Sequence, residues 1–218
     1  MKLMIVDDHQ VVRQGIANLL RSMLPAVAIT EVDNGQDAVA RYGELRPDVV
    51  LLDMGLPDIS GLEVGRRLRQ RWRGAAILFF TMHDELPMVR QALDVGGLGF
   101  VSKSCAPEEL AEAVKRVASG QPYIEHPIAT RLAMNQERPV DHRLRDMTQR
   151  EMEVLLMYAR GESVSGIAER LCVSSKTVSN HLAGLKSKLQ VSSSVELIHL
   201  AVDAGLIRYG QLEEARRV

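Results

Sequence analysis

The 218 residues are 46% hydrophobic and 25% charged, enough apolar matter for one large domain or two small ones with real cores. Twenty-seven Lys and Arg balance 28 Asp and Glu, a net charge of −1, so any basic surface for nucleic acid has to be local. The two cysteines, Cys105 and Cys172, lack C-x-x-C spacing, which argues against a disulfide framework or a zinc site. Apolar runs stop well short of the roughly 18 residues a bilayer demands, and the short N-terminal one ends at Asp7-Asp8, so a cytoplasmic protein with no membrane partner is expected.

From the N-terminus, apolar runs at Leu3–Val6, Val27–Val32, Val49–Leu52, Ile77–Phe80 and Leu98–Val101 read as strands buried on both faces. Helical stretches near 11–22, 35–46, 61–72, 84–96 and 107–119 separate them. Ser60 before Gly61-Leu62, and Ala106-Pro107-Glu108-Glu109, are helix starts. Five βα units in sequence predict a doubly wound parallel sheet over residues 1–120. Residues 121–146, with Pro122, Pro127 and Pro139, break the pattern and read as a linker. Within it Ile128, Leu132 and Ala133 fit one face of a short helix resting on the first domain.

Residues 147–210 read as all-helical. Thr148-x-x-Glu151 is a capping box opening a helix to about Ala159, and Gly161 stops it. A second helix spans Ser163 to Leu171, and Ser174 caps a third from Ser175 to Leu189. Helix, short turn, helix is the helix-turn-helix unit. Val178, Leu182, Leu185 and Leu189 form the buried stripe of the third helix. Its opposite face offers Lys176, Thr177, Ser179, Asn180, Ala183, Lys186 and Lys188, a small, polar, basic surface suited to the major groove of double-stranded DNA. Asn180 fits an adenine edge and the Thr177 methyl a thymine, while the lysines suit phosphates.

In a parallel sheet, chemistry gathers at the carboxyl ends of the strands. Those ends carry Asp7-Asp8, Asp53 and Thr81, with Lys103 close behind the fifth strand. Crowded carboxylates call for a divalent cation, and Mg²⁺ prefers such oxygen ligands. A carboxylate can also attack a phosphoryl group, whose oxygens a lysine and a hydroxyl would neutralise. His9 reads as the start of the first helix rather than a ligand, because imidazole suits Mg²⁺ poorly. His83 lies near the expected site. The arginine-rich run Arg66–Arg73 reads as the solvated side of a helix rather than a nucleic-acid patch.

Val6-Asp7-Asp8-His9, Leu52-Asp53-Met54-Gly55-Leu56-Pro57, Ser60-Gly61-Leu62-Glu63, Thr81-Met82 and Gly99-Phe100-Val101-Ser102-Lys103 together resemble the receiver domains of two-component response regulators. The resemblance covers residues 1–119. It implies a flavodoxin-like (βα)5 fold, phosphorylation of Asp53 by a histidine kinase, and Mg²⁺ held by Asp8, Asp53 and the Gly55 carbonyl, with Asp7 assisting through a water. It further implies that Thr81 and Lys103 hold the phosphoryl oxygens and that Phe100 is an aromatic switch turning inward when Thr81 moves.

Thr148-x-x-Glu151-x-Glu153-Val154-Leu155, Ile167-Ala168, Ser174-x-x-Thr177-Val178-x-x-His181, Lys188-Leu189-x-Val191 and Ala204-Gly205-Leu206-Ile207 resemble the LuxR-type output domain of the NarL/FixJ family, a four-helix helix-turn-helix domain. Ser179 and the run Ser192–Ser194 stand where that family often has Lys and Arg. A homodimer forming on phosphorylation is the implied assembly. A phosphatase of the haloacid-dehalogenase type would need a second acid two residues after Asp53, where this chain has Gly55. A receiver signalling by protein contact alone, with a tail that has lost DNA binding, is a third reading, which a mobility-shift assay separates from the first.

Overall fold

The computed structural model describes residues 1–82, 84–134, 142–144, 147–204 and 206–207. His83, most of the polar stretch 135–146, Gly205 and the end of the helical region at 210 lie outside the described residues. The chain divides into two compact units, 1–134 and 135–218.

The first unit holds a parallel sheet of β1 (Lys2–Val6), β2 (Ala28–Val32), β3 (Val49–Leu52), β4 (Ile77–Thr81), β5 (Gly99–Ser102) and β6 (Tyr123–Ile124), ordered β2-β1-β3-β4-β5-β6. Helices α1 (Gln10–Met23), α2 (Gly35–Leu45), α3 (Gly61–Arg71), α4 (Leu86–Asp94) and α5 (Pro107–Ala118) connect the strands, and α6 (His126–Met134) follows β6. Leu3 and Ile5 join Leu20, Leu51, Leu78, Phe80, Val101, Leu110 and Val114 in one apolar cluster under α1 and α5. Met4 and Val6 alternate to the other face and are equally buried, which explains why β1 is apolar at successive positions.

Strand order reverses at β1, which pairs with both β2 and β3, so the crevice between the ends of β1 and β3 is the ligand position of this architecture.

The first unit extends past the expected end at 120. Tyr123 and Ile124 add a sixth parallel strand in register with Gly99 and Phe100, a two-residue element too short to show beside Gly120 and Pro122. In α6, Ile128 is buried and Leu132 half-buried, but Ala133 is exposed and off the apolar face. Arg131 donates to the Asp84 carbonyl at 2.8 Å and pairs with its carboxylate at 2.5 Å, tying α6 to the loop after β4.

The second unit contains a 3₁₀ turn at His142–Leu144 and helices α7 (Gln149–Ala159), α8 (Val164–Arg170), α9 (Ser175–Lys188) and α10 (Ser194–Asp203). Thr148, Ser163, Ser174 and Ser193 each accept a backbone N–H at a helix start. Gly161, at φ 90°, takes the left-handed turn after α7, and Glu162 N–H returns to the Met157 carbonyl at 3.1 Å. The serine run serves the local fold. Ser193 caps α10, and the Ser192 N–H and hydroxyl both donate to Glu196 at 2.8 Å. Among the described residues no helix is long and apolar enough to cross a membrane.

Candidate functional site

The sheet ladder continues past the strands and fixes two carboxylates: Asp7 N–H donates to the Val32 carbonyl at 3.1 Å and Asp53 N–H to the Val6 carbonyl at 2.9 Å. Asp7 and Asp53 are almost wholly buried. Lys103, carried past β5, places Nζ 2.8 Å from Asp53 Oδ2 and 2.7 Å from Asp7 Oδ2. The first contact is a hydrogen bond, and the second is an ion pair of similar length. Asp53 Oδ1 accepts the Met54 N–H at 2.8 Å, and Asp7 Oδ1 accepts that of His9 at 2.8 Å.

Burial pushes the Asp53 carboxyl above its ordinary range; Lys103 opposes that push and the Asp7 charge adds to it. Burial alone would lower the Lys103 ammonium, but Asp53 and Asp7 outweigh it and hold the group above its ordinary value. The site therefore keeps a fixed positive charge against its buried acids.

Thr81 ends β4, is fully buried, and faces Ser102 across the ladder, while its carbonyl accepts the Lys103 N–H at 2.8 Å. Phe100 is also fully buried, paired with Phe79, so its ring already occupies the interior. Gly55 sits half-buried in the turn after β3. Asp8 and His9 follow at the crevice mouth, and ligand atoms of Asp7, Asp8, His9 and Asp53 all lie within 4.8 Å of one another. His9 does begin α1, as its N-cap residue, yet its Nδ1 also lies 2.8 Å from Asp8 Oδ1. From sequence His9 reads as the start of α1 despite its adjacency to the Asp pair; the place of its ring beside Asp8 is what the structure adds.

In the arginine run, Arg66 and Arg67 pair with Glu63 at 2.5 and 2.7 Å, Arg69 bonds the Arg73 and Ala75 carbonyls, and Arg71 lies over the Trp72 ring. These bonds are internal to α3 and its following loop.

On α9, Val178, Leu182, Leu185 and Leu189 are buried, and Lys176, Ser179, Asn180 and Ala183 are exposed. Thr177 and Lys186 are half-buried, and the Thr177 hydroxyl lies 2.8 Å from that of Ser174. Lys188 is committed elsewhere: its Nζ lies 2.6 Å from Glu151 Oε2, joining the end of α9 to the start of α7. Glu151 Oε2 also accepts the Thr148 N–H at 2.7 Å, completing the capping box. Glu151→Ala should therefore cost about 1–2 kcal/mol, a cap plus a partly screened ion pair. For a domain this small that lowers the melting temperature by roughly 4–8 °C per kcal/mol. Burial raises the Glu151 carboxyl, but Lys188 and the Thr148 N–H outweigh it and hold the group below its ordinary range. Its contribution is then complete above the ordinary glutamate range and disappears as pH falls through the lower folded value. Thermal melts of both proteins against pH should converge in acid; a constant gap would assign the loss to packing.

Residues 3–115 match the response regulator receiver domain family, and residues 145–201 match the bacterial regulatory proteins of the luxR family. The chain is 50% identical to the transcriptional activator protein ExaE of Pseudomonas putida, over 95% of this chain and 99% of that one. It is 36% identical to the response regulator UvrY of Escherichia coli K12, over 93% and 94%. Among solved structures it resembles a LuxR-family two-component response regulator from Aurantimonas sp. SI85-9A1, at 34% identity and a TM-score of 0.59, covering 62% of this chain and 96% of that one. With a receiver match over the sheet unit and a LuxR match over the helical unit, the chain belongs to the NarL/FixJ family of two-component response regulators, DNA-binding transcription factors built from these two domains.

Proposed function

We propose that Asp53 accepts a phosphoryl group from a histidine kinase and that this modification controls binding of the α9 face to double-stranded DNA. The observation that carries the reading is the buried Asp53 carboxylate held against the Lys103 ammonium at 2.8 Å. A carboxylate oxygen of Asp53 bonds to phosphorus while the bond from phosphorus to the kinase imidazole breaks, its electron pair returning to the ring nitrogen. Lys103 neutralises one phosphoryl oxygen and the Thr81 hydroxyl donates to another.

The donor set fits a hard divalent cation. Asp7 Oδ2 and Asp8 Oδ1 are buried oxygens without a hydrogen bond, in a group of three carboxylates. Asp8, Asp53 and the Gly55 carbonyl would hold Mg²⁺, with Asp7 acting through a water; when bound, the ion supplies positive charge to the phosphoryl oxygens.

Thr81 ends β4 beside the strand that carries Phe100, so drawing its hydroxyl toward the phosphoryl group changes the space around a fully buried ring. Phe100 is then the route outward, between this buried position and an outward one. The output is a homodimer reading two half-sites in the cytoplasm, with Lys176, Ser179, Asn180 and Ala183 presented to the groove and Lys186 and Thr177 at its margin. Lys188 contributes first to the fold, through Glu151. The transcriptional-activator name of the Pseudomonas putida relative accords with this output.

Treatment with acetyl phosphate and Mg²⁺, borohydride reduction of the acyl phosphate and mass mapping of the peptides should place the modification on Asp53. Mapping to Asp7 or Asp8 instead would overturn the assignment.

A further inference from the structure

His9 has no capping role to explain its position. It is the N-cap residue of α1, but its side chain accepts no backbone N–H there. Its ring instead stands beside the acids, with Nδ1 2.8 Å from Asp8 Oδ1 and 3.4 Å from Asp7 Oδ1. The 2.8 Å approach is not a hydrogen bond, because Asp8 Oδ1 is buried and receives none. Two neighbouring ligands of an octahedral cation at about 2.1 Å stand roughly 3 Å apart. The His9–Asp8 spacing, short enough for an ion pair, is also one that two ligands of a shared ion adopt.

Resting on the assignment of a divalent cation to this crevice, we propose that His9 is a nitrogen ligand that widens the site's choice of metal toward imidazole-accepting first-row cations such as Ni²⁺. Three carboxylates alone make a hard, all-oxygen site suited to Mg²⁺. One imidazole among them adds little for Mg²⁺, which binds nitrogen poorly, and much for Ni²⁺, which binds it well. His9 thus sets the ratio of the two affinities rather than the affinity for Mg²⁺. The side chain is two-thirds exposed, so it can turn onto an ion without disturbing the core.

Calorimetric titrations of the metal-free full chain with Mg²⁺ and with Ni²⁺ test this, at mildly alkaline pH because a ligating imidazole must be neutral. Wild type, His9→Ala and Asp8→Asn are compared, and the Ni²⁺ binding that survives in a His9→Ala, Asp8→Asn double variant is subtracted as belonging to other histidines. His9→Ala should weaken Ni²⁺ binding by at least about tenfold while changing Mg²⁺ binding less than about twofold. Equal Ni²⁺ affinities in wild type and His9→Ala, or a parallel loss of both metals, would overturn the ligand assignment. Retention of Mg²⁺ binding by Asp8→Asn would instead refute the Mg²⁺ assignment, and the His9→Ala loss of Ni²⁺ would still decide the role of His9.

Discussion

Gly61→Ala is expected to destabilise the first unit by about 3 kcal/mol and to abolish phosphorylation in the molecules that stay folded. A Cβ at Gly61 would overlap the Asp53 carbonyl oxygen and come within 2.8 Å of Met54 Cα. Both obstacles are backbone atoms, so no side-chain rotation relieves them. The Gly61 N–H also donates to the Met54 carbonyl at 2.9 Å, closing the loop that carries Asp53 onto the start of α3. Accommodating a methyl means opening that loop, shifting the Asp53 carboxylate off the Lys103 ammonium and moving the Gly55 carbonyl with it. At roughly 3 °C per kcal/mol for a unit of this size, the melting temperature should fall by roughly 10 °C. Gly15→Ala is the control, because its added Cβ meets nothing within 4 Å. A Gly61→Ala protein with unchanged melting and phosphorylation would show that the loop has slack these contacts deny.

This glycine marks a boundary of what the sequence discloses. Ser60-Gly61 could be read as a helix start, and Ser60 does accept the Glu63 N–H, but nothing in the local pattern says that the loop carrying Asp53 lies against it. β1, β3, β4 and β5 were legible because strands buried on both faces are continuous apolar runs, and each was long enough to count. β2 departs from that expectation, being an edge strand whose run is broken by Thr30 and Glu31 and in which only Val32 is fully buried. β6 is two residues long, so its evidence is its pairing with β5, which is a tertiary fact. The convergence of Asp7, Asp53 and Lys103 followed from the rule for parallel sheets. The orientation of His9 toward Asp8 did not, since a cap residue can point either way. Lys188 shows the same limit: helical periodicity placed it on the polar face of α9, but its partner Glu151 is 37 residues distant on another helix. Ser192 and Ser193 looked like lost positive charge and are the opening of α10.

Asp53→Asn is expected to reduce phosphoryl incorporation to background while making the metal-free protein more stable. Loss of the modification follows from chemistry: an amide oxygen is too weak a nucleophile to replace the carboxylate. The gain in stability follows from the balance of charge. Burial of Asp53 outweighs its attraction to Lys103, and the neighbouring Asp7 charge adds to the cost, so the ionised group opposes folding at neutral pH. The amide removes that charge and leaves Lys103 and Asp7 as a one-to-one pair at 2.7 Å. Its oxygen can still accept the Met54 N–H, at the loss of the bond from Lys103. Millimolar Mg²⁺ should reverse the ranking under the proposed function, because a carboxylate that held the ion in the folded state alone would gain stability by mass action, whereas the amide is a poorer ligand. Melting both proteins in chelator and again in Mg²⁺ separates the two contributions. A wild type more stable than Asp53→Asn in chelator would mean that Lys103 more than repays the burial of Asp53. The carboxylate would then be a structural ion pair instead of a group held at a cost for phosphoryl transfer.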